Sequence, residues 1–263
     1  MDKATLGWVL LAIAGILGGM MMEGGKIAQI LQPTAAMIVL GGTIGGVMIS
    51  YPLPVVMNSF KRWSQVIFER GVDLEGLIQE MLGYAHKARK EGIVSLDSGL
   101  EKIQNPFLKK SLMLAIDGTE PEELRKIMEL EMGNLAEQEE KAPQVFEAAG
   151  GYAPTMGIVG AVLGLIQVMQ HLSDVAEVGR GIAVAFVATI YGLVCANLIF
   201  LPSAGKLKHR NRQEELTREM ILEGVISILE GLNPRMVETK LRGYLAESQA
   251  KEKEKAKQLE RAS

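Results

Sequence analysis

The chain has 263 residues, and its net charge at pH 7 is only −3. So small a charge, with no basic patch interleaved with aromatic residues, argues against a nucleic-acid partner. The single cysteine, Cys195, excludes a disulfide framework and a CxxC zinc motif. The three histidines lack metal-ligand spacing, and no P-loop, GxSxG or HExxH motif occurs. The sequence therefore predicts neither an enzyme nor a cofactor-binding protein.

Four apolar windows alternate with charged segments along the chain, at residues 5–22, 33–53, 152–172 and 181–203. A helix needs about 20 apolar residues to cross a bilayer core, so each window predicts a transmembrane helix. The first window is followed closely by the second, without a small-x-small cleavage site that leads into a soluble domain. This pattern favours a retained anchor over a signal peptide.

The windows pair into two hairpins because their connectors, EGGKIAQILQ and SDVAEVGR, are too short to hold a domain. We predict an all-α membrane protein with four transmembrane helices, a helical cytoplasmic insert between helices 2 and 3, and a helical cytoplasmic tail. The expected segments are a hairpin at 1–53, the insert at 54–150, a second hairpin at 151–204 and C-terminal helices at 205–263.

The polar segments also predict helices. Thr119 and Glu122 have the spacing of a capping box, with Pro121 between them in the first turn. Apolar residues follow at helical spacing in this segment and again in RQEELTREMILEGVISILEG. Residues 250–261 near the C-terminus, AKEKEKAKQLER, are charged enough to form a solvated or frayed helix.

Basic residues close to the membrane ends predict the orientation. The two longer segments carry most of them, at Lys61, Arg62, Arg70, Lys206, Lys208, Arg210 and Arg212. The short connectors carry only Lys26 and Arg180. The insert, the tail and both termini are therefore expected in the cytoplasm.

Small residues recur at four-residue spacing in every window. The pairs or triplets are Gly15/Gly19, Gly41/Gly45, Gly42/Gly46, Gly157/Ala161, Gly160/Gly164 and Ala188/Gly192/Ala196. Such faces let helix backbones approach closely in lipid. Packing within one chain would explain any one pair. Four windows with such faces favour a multi-subunit assembly, or a guest helix packed inside one.

The windows contain no aspartate, glutamate, lysine or arginine, and Glu23 lies only at the outer edge of the first. Ionisable residues inside a membrane normally mark ion paths and proton relays. If this protein moves an ion, a partner must bring the carboxylate. In place of an acid, the second hairpin offers Thr155, Thr189 and Tyr191 as polar groups and the prolines Pro154 and Pro202, which loosen the helix backbone. Each proline is equally well explained as a helix-end residue.

Four segments carry a resemblance that covers nearly the whole chain. They are ARKEGIVSLD at 88–97, APTMGIVGAVLGLI at 153–166, AVAFVATIYGLVCANLIFLPSAGKLK at 183–208 and GLNPRMVETKL at 231–241. With the order of the helices, they make the sequence resemble the MotA/PomA family of flagellar motor stator subunits. The ExbB/TolQ energy transducers share the pattern of helices 3 and 4 but have three membrane helices, so the N-terminal hairpin favours the motor branch.

The resemblance implies a bacterial inner-membrane protein in which five copies surround a dimer of single-span MotB-type partners. An aspartate of the partner would bind and release the ion. The residues that the resemblance implies along the ion pathway and the partner helix are Pro154, Ala161, Ala188, Thr189, Tyr191 and Pro202.

The resemblance also implies that charged residues of the cytoplasmic part push the rotor protein FliG. By position these are Arg89, Lys90 and Asp97 of the insert and Arg235 of the tail. Asp97 stands where glutamate is common in the family, so the negative charge is kept. From the residues alone, a solvated helix face is the better interpretation of these charges.

The expected ion is the proton rather than sodium. Sodium needs several oxygen ligands near the carboxylate, because shedding its water without replacement is costly. The resemblance implies threonines in sodium-driven members where this chain has Ala161 and Ala188, and only Thr189 keeps a hydroxyl. Two other functions stay open at this point: an ExbB/TolQ-type proton-driven energy transducer of the cell envelope, and a non-conducting membrane scaffold.

Overall fold

A computed structural model describes residues 3–68 and 73–244, with side chains from 7–64 and 73–244. These ranges consist of helices and short turns, and no β-strand occurs within them. The predicted all-α fold is confirmed. Arg70 and the charged segment AKEKEKAKQLER lie outside the described residues.

Nine α-helices follow one another in the described ranges. They are α1 (Lys3–Met22), α2 (Pro33–Ser50), α3 (Leu53–Phe68), α4 (Leu74–Glu91), α5 (Pro106–Ile116), α6 (Pro121–Gln170), α7 (Val175–Val194), α8 (Leu201–Leu229) and α9, described over 234–244. Two 3₁₀ segments, Ile27–Ile30 and Ile93–Lys102, precede α2 and α5. A π-helical segment, Cys195–Phe200, joins α7 to α8.

In the part of the chain that the structure describes, three helical stretches are long and apolar enough to cross a membrane: Pro33–Ser50, Pro121–Gln170 and Val175–Leu229. The first apolar window lies in α1, where the described apolar stretch Gly7–Met22 is shorter. Apolar and charged sequence share one helix in the two long stretches. The expected segment boundaries at 150 and 204 therefore fall inside α6 and α8.

The interpretation of Pro154 and Pro202 as helix-end residues is wrong. Pro154 lies inside α6, as does Pro143, and Pro202 lies inside the helical stretch Val175–Leu229. A helix tolerates an internal proline when other groups satisfy the carbonyl that loses its donor, which happens often in membrane helices. The predicted capping box of Thr119 and Glu122 does not match the start of α6, because the carbonyl of Glu120, rather than that of Thr119, accepts the first helical hydrogen bond, from Leu124.

The described chain divides into two compact units, of which the first comprises residues 3–68 and 139–209. Its centre is the antiparallel hairpin of α6 and α7, whose backbones touch. A Cβ atom added to Gly192 would lie 2.5 Å from the carbonyl oxygen of Ala153. One added to Gly164 would lie 2.8 Å from the carbonyl oxygen of Gly181. The small residues of the third and fourth windows thus permit contact within the chain.

Helix α2 packs on this hairpin through only one of its two glycine faces. A Cβ atom on Gly42 would collide with Met156, and one on Gly46 would approach the ring of Tyr152. Cβ atoms on Gly41 and Gly45 would meet no atom within 4 Å, and the same holds for Gly15 and Gly19 of α1. Intrachain packing therefore uses some of the predicted faces and leaves others open.

Within the described residues, the second unit comprises residues 73–138 and 210–244. Its hydrophobic core contains the apolar stripes that the sequence predicted on the polar segments. The largest of its fully buried side chains are Ile78, Met81, Leu108, Leu112, Leu124, Met128, Met220, Ile221 and Leu241. They come from α4, α5, α6, α8 and α9.

Glu223 of α8 connects three helices of this unit. Its carboxylate accepts a hydrogen bond from Arg125 of α6 at 3.0 Å and one from Lys240 of α9 at 2.8 Å. Partial burial by itself would raise the pKa of Glu223, but the hydrogen bonds and charges of Lys240 and Arg125 outweigh it and lower the pKa. The hydrogen bond to Glu223 in turn raises the pKa of Arg125.

We expect Gly192→Ala to destabilise the α6–α7 hairpin, because the new methyl group would collide with a backbone oxygen that cannot rotate away. Overpacking of this kind costs about 1–3 kcal/mol. The matched control is Gly151→Ala, whose methyl group would meet no atom within 4 Å. Thermal unfolding of the purified protein in detergent measures both variants, and equal midpoints would contradict the close approach.

We expect Glu223→Gln to lower the unfolding midpoint at pH 7 by a few degrees, roughly 1 kcal/mol for a partly exposed pair. A carboxyl whose folded pKa is depressed contributes stability above its unfolded pKa, about 4 to 5, and loses it as the pH falls through the folded pKa. The difference between wild type and Glu223→Gln should therefore shrink below about pH 4. Glu101→Gln, at an exposed carboxylate, should show neither effect, and a difference that persisted in acid would contradict the assignment.

Candidate functional site

The residues predicted along an ion pathway lie on the α6–α7 hairpin and just beyond it, but they do not share one side of it. Tyr152 and Met156 of α6 contact the glycine face of α2. Pro154 is two residues from each of them, which is about 200° around an α-helix. Ala161 lies seven residues after Pro154 on the same helix face. Both are half-buried, and both lie on the side of α6 that is turned away from α2.

Thr189 and Tyr191 of α7 lie on opposite sides of their helix. The Tyr191 hydroxyl donates to the carbonyl of Ile30 at 2.5 Å and accepts from the N–H of Gln32 at 3.2 Å, immediately before α2 begins. Thr189, two residues earlier, is turned away from α2 by the same rotation. It is half-buried, and its hydroxyl donates to the carbonyl of Ala185 at 3.2 Å. Tyr191 therefore anchors the connector between α1 and α2.

Ala188 lies inside the packed helices and is 0% exposed. Its Cβ atom would be 2.6 Å from a Cβ atom added to Gly160 of α6. It also belongs to a buried cluster with Ala35 and Val39 of α2. The small side chain at this position permits three helices to meet.

Pro202 is exposed and follows the π-helical segment directly. The N–H of Leu201 bonds to the carbonyl of Ala196, five residues back, which is the π-helical pattern. Pro202 has no N–H, so it can donate neither an α-helical nor a π-helical hydrogen bond.

The structure thus brings Pro154, Ala161 and Thr189 to the side of the α6–α7 hairpin that is turned away from α2, which we call the outer side of the hairpin. This side offers the hydroxyl of Thr189 and the proline-interrupted helix backbone at Pro154, but no carboxylate. No group of three or more histidine, cysteine, aspartate or glutamate side chains that could hold a metal ion occurs in the part of the chain that the structure describes. The sequence interpretation overlooked Asn197, the one amide in the fourth window, which is exposed in the π-helical segment.

The four charged residues predicted to face a rotor all lie in the second unit and are all exposed. Arg89 and Lys90 occupy the last turn of α4, where positive charge is favourable at the helix C-terminus. Gly92 ends this helix with φ of +83°, a conformation that glycine adopts without strain, and its N–H bonds to the carbonyl of Ala88. The chain then enters the 3₁₀ segment that carries Asp97.

Arg235 lies at the start of α9, and its backbone N–H donates to Oδ1 of Asn233 at 3.1 Å. Within the described residues, Arg89, Lys90, Asp97 and Arg235 form no salt bridge. Other basic residues of the same unit are paired: Lys110 with Glu131, Arg125 and Lys240 with Glu223, and Arg242 with Glu75. The four side chains are therefore available to an external partner.

Comparison with known proteins gives matches over nearly the whole chain. The model of the MotA/TolQ/ExbB proton channel family matches residues 100–220, and the model of the motility protein A N-terminal region matches residues 5–92. Motility protein A of Bacillus subtilis (strain 168) is 36% identical over 247 residues, which is 93% of this chain and 91% of the relative.

Two solved structures are similar throughout. The structure of C. jejuni MotAB matches with a TM-score of 0.88 and 32% identity, covering 93% of this chain and 96% of that one. The flagellar MotAB stator complex from Bacillus subtilis matches with a TM-score of 0.86 and 36% identity, covering 95% and 99%. The match to the N-terminal motility region favours the motor branch over the envelope energy transducers. The chain therefore belongs to the MotA/TolQ/ExbB proton channel family, and within it to the motility protein A group of flagellar stator subunits.

Proposed function

We propose that five copies of this chain surround a dimer of MotB-type single-span partners and couple proton flow to torque on the rotor protein FliG. The observation that carries the proposal is the outer side of the hairpin, where Pro154, Ala161 and Thr189 are half-exposed and no acid is present. Such a surface suits a guest helix that brings its own aspartate, since an ion path needs a titratable group. The two similar solved structures, both described as MotAB, support a partner of this type.

The proposed topology is four transmembrane helices in the bacterial inner membrane, with both termini and the large insert in the cytoplasm. Helix α1 is proposed as the remaining span, in addition to the three long apolar stretches, because its apolar side chains are exposed; Trp8, for example, is 68% exposed. Lipid or a neighbouring subunit would cover them. The proposed divisions at 53, 150 and 204 then mark where the chain leaves the bilayer, rather than where one compact unit ends.

The proposed ion is the proton. Ala161 offers no oxygen ligand, and Ala188 is buried between helices rather than on the outer side of the hairpin. The hydroxyl of Thr189 donates within its own helix and can only accept from an external group. A single hydroxyl is a poor replacement for the water shell of sodium, whereas a proton needs only the partner's carboxylate and a relay.

Ion flux in vesicles tests this function. The chain alone should conduct nothing, and the chain with a MotB-type partner should conduct protons at a rate that does not depend on external sodium at fixed pH and membrane potential. A partner whose membrane aspartate is replaced by asparagine is the control and should abolish flux. Robust flux without a partner would contradict the proposed division of labour, and a saturating rise with sodium would overturn the ion assignment.

The proposed rotor contact consists of Arg89, Lys90, Asp97 and Arg235. We expect Arg89→Glu or Asp97→Lys to impair rotation while membrane assembly survives, because exposed charge changes usually alter stability little. Swimming speed and the amount of assembled complex are the two measurements. Lys126→Glu, at another exposed cation of the second unit, is the control and should swim normally. If no opposite reversal on FliG restored rotation to any double mutant, direct pairing would be wrong.

A further inference from the structure

The first unit contains an apolar cavity of about 160 Å³ between α2, α3, α6 and the π-helical segment. Every residue that lines it is apolar except Thr43, whose hydroxyl donates to the carbonyl of Val39 in its own helix at 2.6 Å. A cavity without polar groups to hold water stays dry, so hydrocarbon is the ligand that suits it. The floor of the cavity consists of the buried side chains Val47, Val56, Val145, Phe146 and Ala149.

The cavity opens to the outside of the unit along α2. Its mouth consists of apolar side chains that remain exposed, namely Leu40, Ile44, Met48 and Phe60. The three residues from α2 follow one another at four-residue spacing, so they form a row of about 12 Å along the helix. Because α2 is long and apolar enough to cross a membrane, the mouth faces lipid rather than water in the proposed topology.

Hydrogen bonds mark the level at which α2 leaves the apolar region. The hydroxyls of Ser50 and Tyr152 share a hydrogen bond of 2.7 Å, and the hydroxyl of Tyr51 donates to the carbonyl of Gln144 at 3.3 Å. Tyrosine is enriched where a membrane meets water, because its ring is apolar and its hydroxyl is polar. The cavity therefore extends from this interface into the bilayer along α2.

Helix α3 is amphipathic and is held beside the cavity by aromatic contacts. The rings of Phe60 and Phe146 meet edge to face with centroids 5.3 Å apart, and the ring of Trp63 lies 6.0 Å from that of Phe146. Leu53 and Met57, like Phe60, are exposed at helical spacing. A helix with an apolar face of this kind and basic residues on its polar side is typical of the membrane interface.

Lys61 places a positive charge next to the mouth. Residues 33–60 contain no charged side chain, so Lys61, which follows Phe60, is the first charge beyond the cavity. It is exposed, and within the described residues it forms no salt bridge, whereas Arg62 pairs with Glu139 at 3.8 Å. A lysine can lay its apolar stem along such a surface and keep its ammonium group at the level of the headgroups. Lys61 is therefore available to an anionic headgroup.

We propose that this cavity binds one acyl chain of an anionic phospholipid whose phosphate pairs with Lys61. The inference rests on the proposed topology, in which the mouth opens into the cytoplasmic leaflet, where the membrane surface is negatively charged. A helix of a neighbouring copy is a poorer occupant. With its side chains a helix is about 10–12 Å across, so it could cover the mouth but could not enter the cavity.

The experiment uses the complex of the full chain with a MotB-type partner in vesicles of equal parts phosphatidylglycerol and phosphatidylcholine. The complex is extracted in mild detergent, and the phospholipids that it retains are counted by native mass spectrometry. Wild type should retain phosphatidylglycerol in preference to phosphatidylcholine by about fivefold, as expected for one lysine near an anionic headgroup. Lys61→Gln should abolish this preference. Lys26→Gln, at an exposed lysine in the connector before α2, is the matched control and should keep it.

Ala149→Leu tests the cavity itself, because the larger side chain would take the place of the acyl chain. It should lower the retained amount of both lipids. Ala148→Leu adds the same bulk at a half-buried residue that does not line the cavity, and it should retain as much lipid as wild type. If Ala149→Leu did not assemble, Lys61→Gln, at an exposed position, would still decide the headgroup contact.

Two results would overturn the proposal. Retention of both lipids in the ratio of the vesicles, unchanged in Lys61→Gln and Ala149→Leu, would indicate ordinary surrounding lipid. A wild-type complex that retained no phospholipid would indicate a mouth covered by a neighbouring copy. Proton flux of the same complexes separates this proposal from the proposed function: selective retention without flux would overturn the function and support the lipid site, and flux without retention would do the reverse.

Discussion

The rest of the first unit depends on the close approach of the α6 and α7 backbones. Gly192 lies against Ala153, and Gly164 lies against Gly181, at distances that leave no room for a side chain. In lipid there is no hydrophobic drive to hold two helices together, so such contacts supply the packing energy themselves. Because the two helices are fixed in register by these contacts, the positions of Pro154, Ala161 and Thr189 on the outer side of the hairpin are fixed as well.

The same packing explains how one hairpin can offer two different surfaces. Helix α2 covers one side, through Gly42 and Gly46, and the Tyr191 hydroxyl holds the connector that leads into it. The opposite side has no such cover from the described chain. It carries the half-buried residues Pro154, Ala161 and Thr189. A partner helix that supplies an acid would complete this side, whereas the α2 side is already complete.

In the second unit, some charged side chains are paired within the unit and others have no internal partner. Glu223 forms ion pairs with Arg125 and Lys240, and Arg242 pairs with Glu75 at the start of α4. These pairs join helices of the unit to one another. Arg89, Lys90, Asp97 and Arg235 lie at helix ends and in the 3₁₀ segment, where no described neighbour of opposite charge is within salt-bridge distance. Charges without an internal partner are not offset by a neighbour of opposite sign, so they can attract a protein outside the unit.

The sequence by itself determined the helical class, the position of the apolar windows, the absence of an acid from the two windows of the second hairpin and the family. Hydropathy and small-residue spacing are local properties, and they can be counted without knowing which helices touch. Only the tertiary structure decided what each small or polar residue contacts. Ala188 and Thr189 are adjacent in sequence, yet one is enclosed by three helices and the other faces outward, because neighbouring residues of a helix are about 100° apart. Likewise, the contact of Tyr191 could be recognised only after its distant hydrogen-bond partner Ile30 was located. The prolines could be assigned to helix interiors only after the helices around them were seen to be continuous. Such contacts depend on pairs of segments that are far apart in sequence, which is why residue patterns within one window could not reveal them.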